Sequence, residues 1–196
     1  MPDNKIIQRP SPNFSENAIL PKSLIVIHKT LGRFNGALSW MRNPASQVSA
    51  QFLISRKGTI VQMVGIKKVA WHSGRISRPS ELARKVLKKH PWGTRINPNR
   101  YSIGIEFEWV QGDGDYTEAQ IAAGAVVIKM LGIKTILAHH EITAGKPNMD
   151  GWREELLKRA FGAPVMTPPN SSQEVVRLLN RSVNLTDEAI KLLLKK

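Results

Sequence analysis

In "ILAHHEITAGKPNMDGW", residues 136–152, an apolar run ends in two adjacent histidines, His139 and His140. A loop containing glycine and proline then leads to Asp150. His28 closes a second apolar run, "SLIVIHKT", and Glu106 sits inside the alternating "SIGIEFE". One histidine at a strand end is ordinarily a hydrogen-bonded structural residue. Histidines on two separate strands with an acid on a third suit a metal. Two imidazoles and one carboxylate leave the fourth tetrahedral position of a zinc ion open, which is the pattern of catalytic rather than structural sites. These donors are far apart in sequence, unlike the two histidines of HExxH on one helix, so tertiary structure must assemble them.

The elements that would do so are legible from periodicity. Residues 23–30 form a short continuous Ile/Val-rich run, as expected of a strand buried on both faces. "VSAQFLISRKGTIVQMV" predicts a hairpin, Gln51–Ser55 and Thr59–Val64, turning at Lys57-Gly58. "GRFNGALSWMRNP" predicts a loop or short helix, and "KKVAWHSG" a short extended segment. Residues 79–89 carry helical spacing after a proline, and in "YSIGIEF" Ile103, Ile105 and Phe107 alternate with Gly104 and Glu106. Thr117 with Glu118 opens a helix that Gly132 closes. "KTILAHHEI" predicts a strand carrying both histidines, and residues 151–161 a further helix. The fold class expected is α/β, a mixed central β-sheet flanked by helices, in a single domain with a short helical C-terminal tail. The expected boundaries are an irregular N-terminal arm over 1–21, a catalytic domain over 22–163, and a linker and short helical tail over 164–196.

Composition narrows the chemistry. The chain has no cysteine, which excludes disulfides, thiolate-bound zinc and thiol catalysis. With 29 Lys+Arg against 15 Asp+Glu, the net charge is +14, a field that attracts polyanions. Many of these cations fall between Arg75 and Arg100, where a solvated helix face is the plainer reading, as it is for His90. No run approaches the roughly 20 apolar residues of a membrane span, and the N-terminus carries no signal-peptide pattern. Synthesis in the cytoplasm is therefore expected, with any action on an envelope following release.

The segments "LIVIHKT", "VSAQFLISRKGTIVQMV", "VAWHSG", "NRYSIGIEFE" and "LAHHEITAGKPNMDG", in this order, resemble the zinc-dependent N-acetylmuramoyl-L-alanine amidases. This group includes phage endolysins, bacterial anhydromuropeptide amidases and peptidoglycan-recognition proteins. The resemblance covers about residues 22–160 and implies hydrolysis of the amide between N-acetylmuramic acid and L-alanine, with one zinc ion as cofactor. It implies His28, His139 and Asp150 as zinc ligands, with His140 at a variable position. Alignment through "HHEI" selects His139, whereas counting back from Asp150 by the usual spacing selects His140. It further implies Glu106 as general base and proton donor, Lys146 as the cation stabilising the oxyanion, and His72 with Trp71 as substrate contacts. Where some members place a catalytic tyrosine this chain has Ala50, which leaves Glu106 in that role; Lys146 stands four residues before Asp150 rather than the usual two.

A phage-type lytic enzyme is the expected role, acting on peptidoglycan as a monomer, with anionic cell-envelope polymers attracted to the basic surface. The alternatives are a cytosolic amidase recycling soluble muropeptide, for which +14 offers no obvious benefit, and a non-hydrolytic peptidoglycan-binding module. A specific nucleic-acid partner is not expected, because no nucleic-acid motif accompanies the charge.

Overall fold

The structure is a computed structural model that describes residues 5–16, 20–89, 93–148 and 151–162. Its strands are β1 (Ile6–Gln8), β2 (Phe14–Ser15), β3 (Leu24–Lys29), β4 (Phe52–Ile54), β5 (Ile60–Gln62), β6 (Val69–Ala70), β7 (Ser102–Phe107) and β8 (Ile136–Ala138). The α-helices are α1 (Phe34–Arg42), α2 (Glu81–Lys89), α3 (Glu118–Leu131), α4 (His139–Ile142) and α5 (Arg153–Phe161). The main sheet runs β1-β5-β4-β7-β3-β8. Pairings β4–β7, β7–β3 and β3–β8 are parallel, and the β4–β5 hairpin is antiparallel. The mixed α/β sheet read from the sequence is thus the observed architecture.

Helices cover both faces, which is why the central strands are apolar at successive positions: Leu24, Ile25, Val26 and Ile27 are all fully buried. On one face Leu24 and Val26 cluster with Ala83 and Leu87 of α2, Leu137 and Ile142. Beside them, Leu53 and Val61 pack with Ala37 and Met41 of α1. The other face carries α3 and α5. Gly124 of α3 is so close to the sheet that a Cβ there would lie 2.8 Å from both Phe107 Cζ and Leu156 Cδ2.

Local signals set the element ends. Thr117 Oγ1 accepts from Gln120 N–H and Gln120 Oε1 accepts from Thr117 N–H, each at 3.1 Å, a reciprocal capping box. Gly132 ends α3 with φ of 67°, a left-handed conformation that glycine adopts without steric cost.

Two expectations differ from the structure. The stretch 1–21 was expected to be irregular, yet β1 pairs with β5 and β2 with β6. Ile6 and Ile7 extend the apolar sheet edge, and short edge strands of this kind carry little periodicity to read. The strand "KTILAHHEI" is also shorter than expected: β8 stops at Ala138, and His139 and His140 lie on the single turn α4. The turn forms because Glu141 Oε2 accepts the Ala138 N–H at 2.7 Å, satisfying a donor at the start of the helix. The expected tail, 164–196, lies outside the described residues, as do His90 and Asp150.

Candidate active site

Parallel pairing brings the polar residues together. In the β3–β7 register His28 stands opposite Glu106, and in the β3–β8 register Ile27 stands opposite Ala138, so His139 follows at the same end of the sheet. Sites in open α/β sheets collect beyond the carboxyl ends of strands for this reason. There the structure forms a cleft of about 240 Å³ lined by His28, Trp71, His72, Glu106, His139 and Lys146, among others.

His28 is the hub and is only 3% exposed. Its Nδ1 lies 2.9 Å from His139 Nδ1 and 3.8 Å from Glu106 Oε1, and its Nε2 lies 3.1 Å from His72 Nδ1. It is therefore His139 that the fold brings against His28. His140, the next residue on α4, is not among the described residues lining the cleft. Its charge helps to lower the pKa of His139. His139 Nε2 lies 3.0 Å from the Ser73 carbonyl, which can only accept, so this nitrogen carries the ring proton and Nδ1 keeps its lone pair.

Burial, together with the charges of the neighbouring histidines, holds His28 and His72 well below the ordinary histidine pKa. His139 is lowered to about 4, first by burial and then by the Lys146 charge. The three rings are thus neutral at pH 7. Glu106 is pushed up to about 8 by burial, partly offset by Lys146. Its Oε2 is buried without a hydrogen-bond partner.

Of the other expected residues, Trp71 lines the cleft while its indole N–H donates to Ser15 Oγ at 3.0 Å, tying it to β2. Lys146, on the exposed loop after α4, lines the same cleft. Ala50 is fully buried, packed against Leu53. Glu108, two positions beyond Glu106, points elsewhere: its Oε2 accepts the Arg56 N–H at 2.8 Å, bracing the β4–β5 hairpin.

The arrangement suits a divalent cation. Two neutral imidazoles direct their Nδ1 atoms at one another, a contact that a shared cation would relieve. Glu106 lies beside it, with Oε1 3.8 Å from His28 Nδ1 and Oε2 buried without a hydrogen-bond partner. Nitrogen and oxygen donors of this kind fit zinc. Among the described residues no three side chains complete a ligand set, and Asp150 falls outside them.

A family profile described as N-acetylmuramoyl-L-alanine amidase matches residues 19–151, which span this entire constellation. The chain belongs to this family. Its similarity to N-acetylmuramoyl-L-alanine amidase A of Achromobacter lyticus is 32% identity over 111 residues, covering 56% of this chain and 50% of that protein. The chain therefore spans about half the length of that relative. Among solved structures, a selenomethionine derivative of AmpD matches at 27% identity with a TM-score of 0.53, covering 74% of this chain and 87% of that one. PlyL matches at 17% identity with a TM-score of 0.58, covering 81% and 99%, a likeness of fold.

Several residues that build the amidase cleft were not singled out from the sequence. Ser73 offers its backbone carbonyl, which no side-chain pattern announces. Asn99 Oδ1 accepts the Ser73 N–H at 2.7 Å and so fixes the loop that carries that carbonyl. Glu141, the acid of "HHEI", holds the α4 turn and pairs with Arg153 of α5. Its place three residues after Ala138 marks a cap only once the end of β8 is known, because Ala138 has no side-chain oxygen to announce a capping box.

Proposed function

We propose that this chain hydrolyses the amide between the lactyl carbonyl of N-acetylmuramic acid and the amino group of L-alanine in peptidoglycan. The observation that carries the reading is the convergence of His28, His139 and Glu106 at the ends of three adjacent parallel strands, in a cleft that Lys146 also lines. In this reading His28 Nδ1, His139 Nδ1 and Asp150 hold one zinc ion. Zinc bound there would supply Lewis acidity toward water and the scissile carbonyl. Glu106 takes a proton from the attacking water on a carboxylate oxygen and returns it to the leaving alanine nitrogen. Its raised pKa keeps that proton available near neutrality, and the cation held beside it would draw the pKa down toward the working range. Lys146 places positive charge where the carbonyl oxygen gathers negative charge. Trp71 and the cleft floor orient the glycopeptide.

The lytic role is preferred over recycling of soluble muropeptide. A net charge of +14 concentrates the enzyme on an anionic wall and does little for a small soluble substrate. Digestion of purified peptidoglycan with and without chelator tests the chemistry. New L-alanine amino termini, lost on chelation and restored by zinc, are expected. New reducing sugar ends with no free L-alanine would overturn the assignment.

A further inference from the structure

We infer that His72 is a positioning residue whose task is to fix which nitrogen of His28 faces the cation, through a chain of hydrogen bonds anchored on the Pro98 carbonyl. This differs from the substrate contact that the family resemblance implies for His72, and it rests on the zinc reading given above.

The protons can be assigned one after another. Ser102 Oγ lies 2.6 Å from the Pro98 carbonyl, which only accepts, so the single hydroxyl proton goes there. Toward His72 Nε2, at 3.2 Å, Ser102 can then only accept, so His72 carries its proton on Nε2 and donates it. A neutral imidazole protonated on Nε2 has a bare Nδ1. His72 Nδ1 therefore accepts from His28 Nε2–H across 3.1 Å. His28 is left with a lone pair on Nδ1, which faces His139 Nδ1 at 2.9 Å. The alternative tautomer would place a proton on His28 Nδ1. There it could donate only to His139 Nδ1 at 2.9 Å, and it would leave His28 Nε2 and His72 Nδ1 facing each other at 3.1 Å as two bare lone pairs; Glu106 Oε1, 3.8 Å away, is beyond hydrogen-bond range. His139 is fixed in the same sense by donating to the Ser73 carbonyl at 3.0 Å. Orientation of a ligating histidine by a partner on its other nitrogen is the usual way a protein presents one lone pair to a metal.

The strand is built for this chain. Ser102, Gly104 and Glu106 occupy alternate positions of β7 and share one face. A Cβ at Gly104 would lie 2.5 Å from His72 Cγ and 2.8 Å from Cδ2, so only glycine leaves room for the ring. Ser102 anchors the ring, Gly104 admits it, and Glu106 supplies the acid. Asn99 completes the support, since its Oδ1 accepts the Ser73 N–H at 2.7 Å next to His72.

Metal-free protein with 15N-labelled histidine tests the assignment directly, because imidazole 15N shifts distinguish the tautomers. His28 and His72 are both expected as Nε2–H, and His28 found as Nδ1–H would overturn the inference. Zinc affinity, measured by chelator competition, gives a second readout. Affinity should fall by roughly 10–100-fold in His72→Leu and in Ser102→Ala. His72→Gln, whose amide oxygen can accept from His28, should recover part of the loss. Wild-type affinity in a folded His72→Leu would also overturn it. If the wild-type chain bound no zinc while His28 remained Nε2–H, the zinc reading would fail and only the tautomer assignment would stand.

Discussion

Four titratable side chains dominate the chemistry of the cleft, and their burial predicts how the metal-free protein responds to pH. His28 and His72 are held well below 6.5 and His139 lies at about 4, whereas in the unfolded chain all three return to about 6.5. Between about 4 and 6.5 the unfolded chain binds protons that the folded chain refuses, so stability falls as pH drops through this window. Glu106 acts in the opposite sense. Its folded pKa of about 8 lies above the ordinary carboxylate value of 4.5, so its contribution is complete below 4.5 and is lost as pH rises to about 8. Three groups outweigh one on the acid side, and Glu106 governs the window from 6.5 to 8, above which Lys22, lowered to about 8 by burial, begins to titrate. Melting of chelator-treated protein should therefore peak near pH 6.5, and Glu106→Gln should remove the decline between 6.5 and 8. A wild-type curve still rising at pH 8 would contradict this. In the loaded enzyme Glu106→Gln should keep its zinc and lose roughly 10²–10⁴-fold in kcat, the range for removing a general acid–base. At this scale the sequence was informative where chemistry resides in side-chain type: His28, His72, His139, Glu106, Lys146 and Trp71 were all legible, and each lines the cleft. It was uninformative where a backbone carbonyl or an absent Cβ does the work, as at Ser73, Pro98 and Gly104. It also left His139 and His140 equivalent in type, and only the α4 turn separates them.

The elements themselves were readable wherever periodicity or capping was strong. The α3 helix showed its Thr117 cap and its Gly132 stop, and β3 and β7 showed their apolar patterns. β6 falls in the extended segment expected at "KKVAWHSG", but β2, two residues long, is too short for any period, and α4 was hidden because a capping acid inside "HHEI" looks like part of a strand. Packing between elements supplies a test of the sheet's second face. Gly124→Ala would gain about 1 kcal/mol of helix propensity. The new methyl would press on Phe107, whose ring is wedged between Tyr116 and Trp152 at centroid distances of 5.2 Å each. Overpacking of this sort costs about 1–3 kcal/mol, so a net loss is expected. A lower denaturation midpoint with unchanged zinc content would show that α3 supports the sheet without shaping the site. An increase in midpoint would show that Leu156 and Phe107 yield more easily than their packing implies.

For the molecule as a whole, charge and topology matter most. Between Arg75 and Arg100 the only acidic residue is Glu81, and it pairs with Lys85 at 2.7 Å. Arg84, Lys88 and Lys89 are exposed on α2. Co-sedimentation with anionic cell-wall preparations should weaken as salt shortens the screening length from about 10 Å at 0.1 M toward 3 Å at 1 M. Replacing Arg84, Lys88 and Lys89 with glutamate should weaken it further while hydrolysis of a small soluble muropeptide stays unchanged. Equal loss on both substrates would place α2 in the catalytic machinery instead. The net charge was readable from composition, and the solvated helix face expected between Arg75 and Arg100 is the exposed side of α2. The order of the strands carries a further consequence, for the time course of folding. His28 and His139 are separated by 111 positions and meet only because β8 pairs in parallel beside β3. Non-local parallel pairing is the slow part of assembling such a chain. The two rings therefore come within reach of one ion only after that step, and during refolding zinc uptake should lag behind helix formation and coincide with the last recovery of tertiary signal.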